Sequence, residues 1–354
     1  MSDSTNSNEG RDVAGAHQSV TSVSLVIPGR NCAGTIEKCL RSVVPLLESG
    51  ELREIIFVND GSTDDSEEIV AGFPGRIITG RGIGAAAARN DGIEQTTSEF
   101  IWCIDADCIA QNDTLSLLLK GFESDAVAAV GGSLGNACPD SLLATLVQDE
   151  ITWRHTRMPE VVNFLASGNV VYRRSAIQQV GGFDESFRWA HDAELAYRFR
   201  STNRELRFRK NAVVLHHHFT KWHAYLFKQA AYAKNRMLLY QRYPQNVRGD
   251  DYSSLIDHMQ PPLALGLLLT LPLVMFPSLA AIPLVVFVLL VTCAAITTVS
   301  VYKGRPKLRM IPFLLFSVIR STARAAGACH GIVAVIAMLL RSSEASPTQQ
   351  DLVQ

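Results

Sequence analysis

Two aspartates one residue apart, Asp105 and Asp107, close the apolar run "FIWCI". Like charges set that close repel each other, so a run that needed only stability would end in other residues. A positive ion beside them removes the difficulty. Mg²⁺ and Mn²⁺ prefer oxygen ligands, keep several waters and take substrate phosphates into their shell. A D-x-D pair at a strand end therefore either holds a divalent cation and, through it, a diphosphate, or is a pair of solvated loop acids. Three consecutive histidines at 216–218, in "LHHHF", follow the strand-like "NAVVL". The first of them, His216, either completes the metal shell, touches the diphosphate or is an ordinary surface group near a membrane.

Such side chains need a rim to stand on, and the chain around them supplies one. "SVSLVIP" is a β-rich run ending at Pro28, followed by "GTIEKCLRSVVPLL" with Ile36, Leu40, Val43 and Leu47 at helical spacing. "EIIFVND" is a second strand ending at Asp60. "GSTDDSEEIVAGF" then reads as a glycine turn, a cap at Ser62 or Thr63 and a helix. "RIIT" is a third strand, "IGAAAARNDGIEQT" an alanine-rich helix and "EFIWCID" a fourth strand. Strand–helix alternation predicts an α/β fold with a parallel sheet covered by helices. Ligands in such sheets bind beyond the carboxyl ends of the strands, where Pro28, Asp60 and Asp105 stand.

The 354-residue chain is long enough for one large catalytic domain and an appendage. With Lys+Arg 33 against Asp+Glu 34, the basic surplus of a nucleic-acid partner is missing. Seven cysteines without a C-x-x-C spacing read as reduced thiols. Residues 1–20 are polar, read as a disordered leader and lack the apolar core of a signal peptide. The α/β domain is expected over 21–250 and a membrane region over 260–341, with a tail at 342–354. Residues 263–301 hold no Asp, Glu, Lys or Arg. As helix they would extend about 58 Å, near twice a bilayer core. Two spans, about 263–281 and 283–301, fit that length, with Pro277 and Pro283 marking the turn. The basic loop "YKGRPKLR" that follows is cytoplasmic by the positive-inside rule, which places both ends of the hairpin beside the α/β domain at the inner face of the plasma membrane. Arg320 and Arg324 interrupt the apolar stretch 311–340, which is expected as an interfacial or re-entrant helix pair in preference to a third span.

The ordered series "SLVIPGRN", "FVNDGSTDDS", "GIGAAAARNDG", "IDADC" and "GGFDESFRWAHDAELAYR" resembles the family 2 glycosyltransferases over about residues 22–245. The resemblance implies the GT-A (Rossmann-like) nucleotide-sugar-binding fold, inverting transfer, a nucleotide-diphosphate sugar donor such as a UDP-sugar, and Mg²⁺ or Mn²⁺. It places Pro28 and Arg30 at the base pocket, Arg30 standing where the family often has an aromatic. Asp60 would read the base edge, Arg81 would approach the donor phosphates or be a loop charge, Asp105 would face the ribose or the metal, and Asp107 would be a metal ligand. Asp192 matches the catalytic base, with His191 where the family usually has Glu. "FKQAAYAKNRMLLYQRYP" is similar to a stretch of membrane-attached members of the succinoglycan-biosynthesis type. It would lie at the membrane surface against anionic lipid or a lipid diphosphate. The Q-x-x-R-W motif of processive synthases is absent, which argues for addition of one sugar to a lipid-linked saccharide or glycolipid. Two alternatives stay open: transfer to a polyprenyl phosphate, and a non-catalytic assembly partner with an inactive transferase domain. A dinucleotide-binding oxidoreductase is disfavoured because "GRGIG" does not follow the first strand.

Overall fold

The computed structural model describes residues 22–247, 250–253 and 255–344. The leader expected over 1–20 and the tail residues 345–354 lie outside the described residues.

The first half follows the expected alternation: β1 (Val23–Gly29), α1 (Ile36–Glu48), β2 (Glu54–Asn59), α2 (Ser66–Ala71), β3 (Arg76–Thr79), α3 (Ala85–Glu94) and β4 (Phe100–Ile104). Every residue of β1 and of β4 is buried, as a strand covered on both faces must be. β1 pairs in parallel with β2 on one side and with β4 on the other. The chain therefore leaves β1 in one direction and returns in the other, which opens a crevice at the carboxyl ends of β1 and β4. One detail differs from expectation: α2 starts at Ser66, and Ser62 and Thr63 do not cap it. They tie down the loop after β1 instead, Ser62 Oγ accepting from the Asn31 N–H at 3.1 Å and the Thr63 N–H donating to Asn31 Oδ1 at 2.7 Å.

The second half adds β5 (Cys108–Ala110), α4 (Thr114–Leu119), β6 (Val127–Asn136), α5 (Leu142–Arg157), β7 (Val161–Val162), β8 (Asn169–Arg173), α6 (Arg174–Gln179), α7 (His191–Ser201) and β9 (Glu205–His216). Among the described residues the result is one nine-stranded sheet of order β3-β2-β1-β4-β8-β6-β9-β5, with β7 on β9. β8 runs antiparallel to both β4 and β6. The short β5 pairs with the end of β9, Cys108 opposite His216, so the register itself sets the histidine run against Asp107. All seven cysteines are free thiols.

Under the sheet, His155 on α5 is 8 % exposed and packs against Phe208, with ring centroids 5.1 Å apart. Burial pushes its imidazole down to about 4, with Arg154 adding to the effect. The unfolded chain then binds the extra proton at mildly acidic pH, so stability falls as pH drops below the ordinary histidine range. We expect thermal melts of the full chain in detergent to lose about 3 kcal/mol between pH 7 and pH 4 from His155 alone, and His155→Gln to flatten that limb.

Among the described residues four α-helices follow the sheet: α8 (Trp222–Arg242), α9 (Leu255–Thr270), α10 (Ala281–Val301) and α11 (Met310–Glu344). Three segments, Leu255–Met275, Ala281–Val301 and Lys307–Arg341, are long and apolar enough to cross a membrane. The first begins earlier than 263 and runs through Pro261 and Pro262. The stretch 311–340 is one continuous helix and not a helix pair. Its arginines do not break it because they are not left bare: Arg320 pairs with Glu150 of α5, and Arg324 donates to Gln229 of α8 at 2.7 Å. The basic loop before α11 lies on the α/β domain, with Tyr302 donating to Asp149 at 2.7 Å and Arg309 pairing with it at 3.1 Å. Gly327 and Gly331, a G-x-x-x-G spacing, press α11 backbone to backbone against α8; a Cβ at Gly327 would lie 2.0 Å from the Ala230 carbonyl oxygen.

Candidate active site

Asp105 follows β4 directly, at the crevice mouth. Its Oδ1 is held by Arg89, a residue of α3 whose side chain is 2 % exposed. Arg89 also donates to the Ala85 carbonyl and to His191 Nε2, each at 3.2 Å, and its guanidinium lies 5.7 Å from the Phe183 ring centre. Burial works against the charged form of Asp105, but the neighbouring Arg89 outweighs it and holds the carboxyl below its usual range. One oxygen of Asp105 is thus engaged by the guanidinium of Arg89, and no hydrogen bond among the described residues engages Oδ2. Among the described residues no group of three or more acids, histidines and cysteines is placed to hold a metal ion.

Asp107 stands in the turn between β4 and β5, with its side chain 39 % exposed and Oδ2 3.4 Å from His216 Nε2. Burial raises its pKa, and His216 only partly offsets this. The tautomer of His216 follows from a chain of hydrogen bonds. The Gln148 Nε2 amide donates to the Leu134 carbonyl at 3.0 Å, so its Oε1 faces His218 Nε2 at 2.8 Å and must accept. Burial pushes His218 down to about 3, so the ring is neutral, with its proton on Nε2. His218 Nδ1 then accepts from His216 Nδ1 at 2.9 Å. With Nδ1 committed to that bond, His216 faces the Asp107 carboxylate through Nε2. Either a proton on Nε2 or a metal ion joins the imidazole to the carboxylate. The donor set suits a divalent ion that takes one carboxylate and one imidazole from the protein and the rest of its shell from substrate and water.

Asp192 is the second residue of α7. Its Oδ1 accepts from the Ala193 N–H at 2.8 Å, and no hydrogen bond among the described residues engages Oδ2. Burial raises its pKa. Ala190, before the helix, has φ 70°, a left-handed conformation that non-glycine residues rarely hold. His191 buries its ring against Arg89 and 3.3 Å from Ser167 Oγ; burial, with Arg89 beside it, pushes that ring down to about 3, so it stays neutral. Asp105, Arg89 and His191 thus form one bonded line from the β4 rim to the residue beside Asp192. The Gly181-Gly182-Phe183 turn that leads into α7 is fixed by Asn90, which accepts from the Phe183 N–H at 2.8 Å and donates to its carbonyl at 2.9 Å. Gly182 has φ +75°, and a Cβ there would meet Asn90 Oδ1 at 2.6 Å, so glycine is required twice over.

The remaining expected residues spread along the same rim. Pro28 lies in β1 opposite Val58. Arg30 is exposed and reaches the Gly82 carbonyl at 3.4 Å. Asp60 is 4 % exposed, and its Oδ1 has no donor among the described residues. Arg81 is ion-paired to Asp91 at 2.8 Å and to Glu185 at 2.6 Å. It joins its own loop to α3 and to the loop that carries Glu185. Sequence reasoning missed Arg89, Asn90, Gln148 and His218. A signal existed for the first: Arg89 is the one ion inside an alanine run that must face the sheet.

Residues 24–181 match the model of "Glycosyl transferase family 2". This stretch is a family 2 glycosyltransferase domain. The glycosyltransferase match ends before Asp192, His216 and α8, so those parts of the rim come from chain beyond it. The chain is 28 % identical over 236 residues to the pre-mycofactocin glycosyltransferase of Mycobacterium tuberculosis, covering 63 % of this chain and 48 % of that protein. It is 25 % identical over 213 residues to the poly-beta-1,6-N-acetyl-D-glucosamine synthase of Staphylococcus epidermidis, covering 57 % and 51 %. The chain thus spans about half the length of these curated relatives. Glycosyltransferase AglE of Haloferax volcanii is 27 % identical over 203 residues, 55 % of this chain and 66 % of that protein. The fold is shared with the mannosyltransferase PcManGT of Pyrobaculum calidifontis, solved with GDP-Man and Mn²⁺: TM-score 0.54 at 17 % identity, over 88 % of this chain and 86 % of that one.

Proposed function

We propose that this chain is a membrane-attached inverting glycosyltransferase that moves one sugar from a nucleotide-diphosphate sugar to a hydroxyl of a lipid-linked saccharide or glycolipid at the cytoplasmic membrane face. The observation that carries the reading is the line Asp105–Arg89–His191, which runs from the strand-end rim to the residue next to Asp192 in α7. The acceptor oxygen bonds to the anomeric carbon from the face opposite the diphosphate. The carbon–oxygen bond to the diphosphate breaks, its electron pair leaves with the phosphate, and the hydroxyl proton passes to Asp192 Oδ2. A raised pKa suits a carboxylate to that task. Asp60 Oδ1, buried without a donor among the described residues, suits a ring N–H of the nucleobase. Asp107 and His216 would hold a divalent cation, which supplies charge neutralisation for the departing diphosphate. Three apolar helices and an exposed Phe227 on α8 support attachment to a membrane.

The test is a screen of radiolabelled nucleotide sugars against membranes with and without the chain. We expect one donor to be consumed only when Mn²⁺ or Mg²⁺ is present, and Asp107→Ala to remove that consumption. No consumption of any donor by the wild-type chain would leave the reading without an activity and favour the inactive assembly partner.

A further inference from the structure

α8 carries a cation that the fold does not use. The Lys228 ammonium lies 3.6 Å from the ring centre of Trp189 and 5.3 Å from that of Tyr232, and the two rings meet edge to face at 5.7 Å. Among the described residues Lys228 has no ion pair and no hydrogen bond. Trp189 precedes the left-handed Ala190 and lies three residues before Asp192, so the cage holds the ammonium at the entrance of α7. Its position is built, because Gly327 and Gly331 lock α8 to α11 on the turns that follow Lys228. The charges acting on it are those of the site itself. Burial lowers its pKa, while Asp105, Asp107 and Asp192, in that order, favour the charged form.

A half-buried ammonium without an anion, facing the acids of a catalytic rim, is costly as structure alone. Asp105 already has Arg89, Asp107 faces His216, and among the described residues no ion pair joins Lys228 to Asp192. What remains is the substrate. We infer that Lys228 is a phosphate-binding residue of this site: its ammonium, held over the rings of Trp189 and Tyr232, donates to a phosphate oxygen of the bound substrate. The inference rests on the glycosyltransferase reading. Cleavage adds a negative charge to a diphosphate that a divalent cation has only neutralised, and one further ammonium meets that surplus. The same oxygen chemistry is offered by the phosphate of a polyprenyl acceptor.

The experiment uses the full chain in nanodiscs with Mn²⁺ and compares wild type, Lys228→Met and Lys228→Arg. One arm titrates UDP and GDP by calorimetry. The second measures how a short-chain polyprenyl phosphate, against its neutral alcohol, protects the chain from thermal unfolding. We expect Lys228→Met to weaken one of the two phosphate ligands by roughly tenfold to a hundredfold, and Lys228→Arg to restore it to within about threefold. Loss in the nucleotide arm identifies the donor diphosphate; loss confined to the polyprenyl arm identifies the acceptor. If the wild type binds a phosphate ligand and Lys228→Met binds it equally, the inference is overturned while the function stands. A lower melting temperature in Lys228→Met with unchanged affinities shows a structural lysine and overturns it as well. If the wild type binds neither nucleotide, the donor reading itself has failed.

Discussion

In Asp192→Asn, sugar transfer falls by about a thousandfold or more, while affinity for the nucleotide sugar stays within about twofold and the melting temperature does not drop. The first part follows from the proton. An asparagine keeps the hydrogen bond from the Ala193 N–H, so the start of α7 is undisturbed, but it has no lone pair basic enough to take a hydroxyl proton. The second part follows from position: Asp192 lies on α7, outside the strand ends that form the donor rim. The third follows from the sign of the pKa shift. Burial raises the folded-state pKa of Asp192 above its unfolded value, so this group's stabilising contribution is present only below the unfolded pKa and is lost as pH rises through the folded one. At neutral pH the ionised carboxylate is a liability, and removing its charge costs no stability. The wild-type rate should also gain its acid limb above the usual aspartate range. Steady-state transfer, donor binding and melting of one preparation check all of this. An Asn variant that transfers at the wild-type rate points to an acceptor already ionised, such as a polyprenyl phosphate.

What could be read in the chain beforehand was what local pattern encodes. β1 and β4 are unbroken apolar runs because both faces are covered, and carboxylates at their ends can only be at the rim. What could not be read depends on contacts between distant segments. Nothing near Asp105 indicates that Arg89, on the helix before it, takes one of its oxygens. Gln148 and His218 are seventy residues apart, yet together they decide which nitrogen of His216 is free. Arg320 reads as a break in an apolar run, because its partner Glu150 lies on a helix of another part of the fold. Local hydropathy charges Arg320 the full cost of an unpaired ion, whereas the fold supplies the counter-ion.

The different contacts of the two acids of the D-x-D pair lead to the second large effect. Asp105→Asn should unfold the protein several degrees earlier, whereas Asp107→Asn should leave melting unchanged or slightly higher and abolish the metal response. Arg89 is 2 % exposed, and its charge is matched by Asp105. Neutralising a partner strands a buried guanidinium, at a cost of about 3 kcal/mol, the low end of the usual range because the Asp105 side chain is 37 % open to water. For a domain of this size that is a fall of roughly 5–10 °C. The pair Arg89→Met with Asp105→Asn should recover part of the loss, since no unmatched charge then remains. Asp107 has no guanidinium; it faces His216 at 3.4 Å. Burial raises its pKa, so at neutral pH its charge already works against folding, and an amide there relieves the strain. Its loss should instead appear as UDP or GDP binding that Mn²⁺ no longer strengthens, weaker by about tenfold or more. If Asp105→Asn melts like the wild type and loses the metal response as fully as Asp107→Asn, Arg89 does not hold Asp105 in solution and both acids are metal ligands.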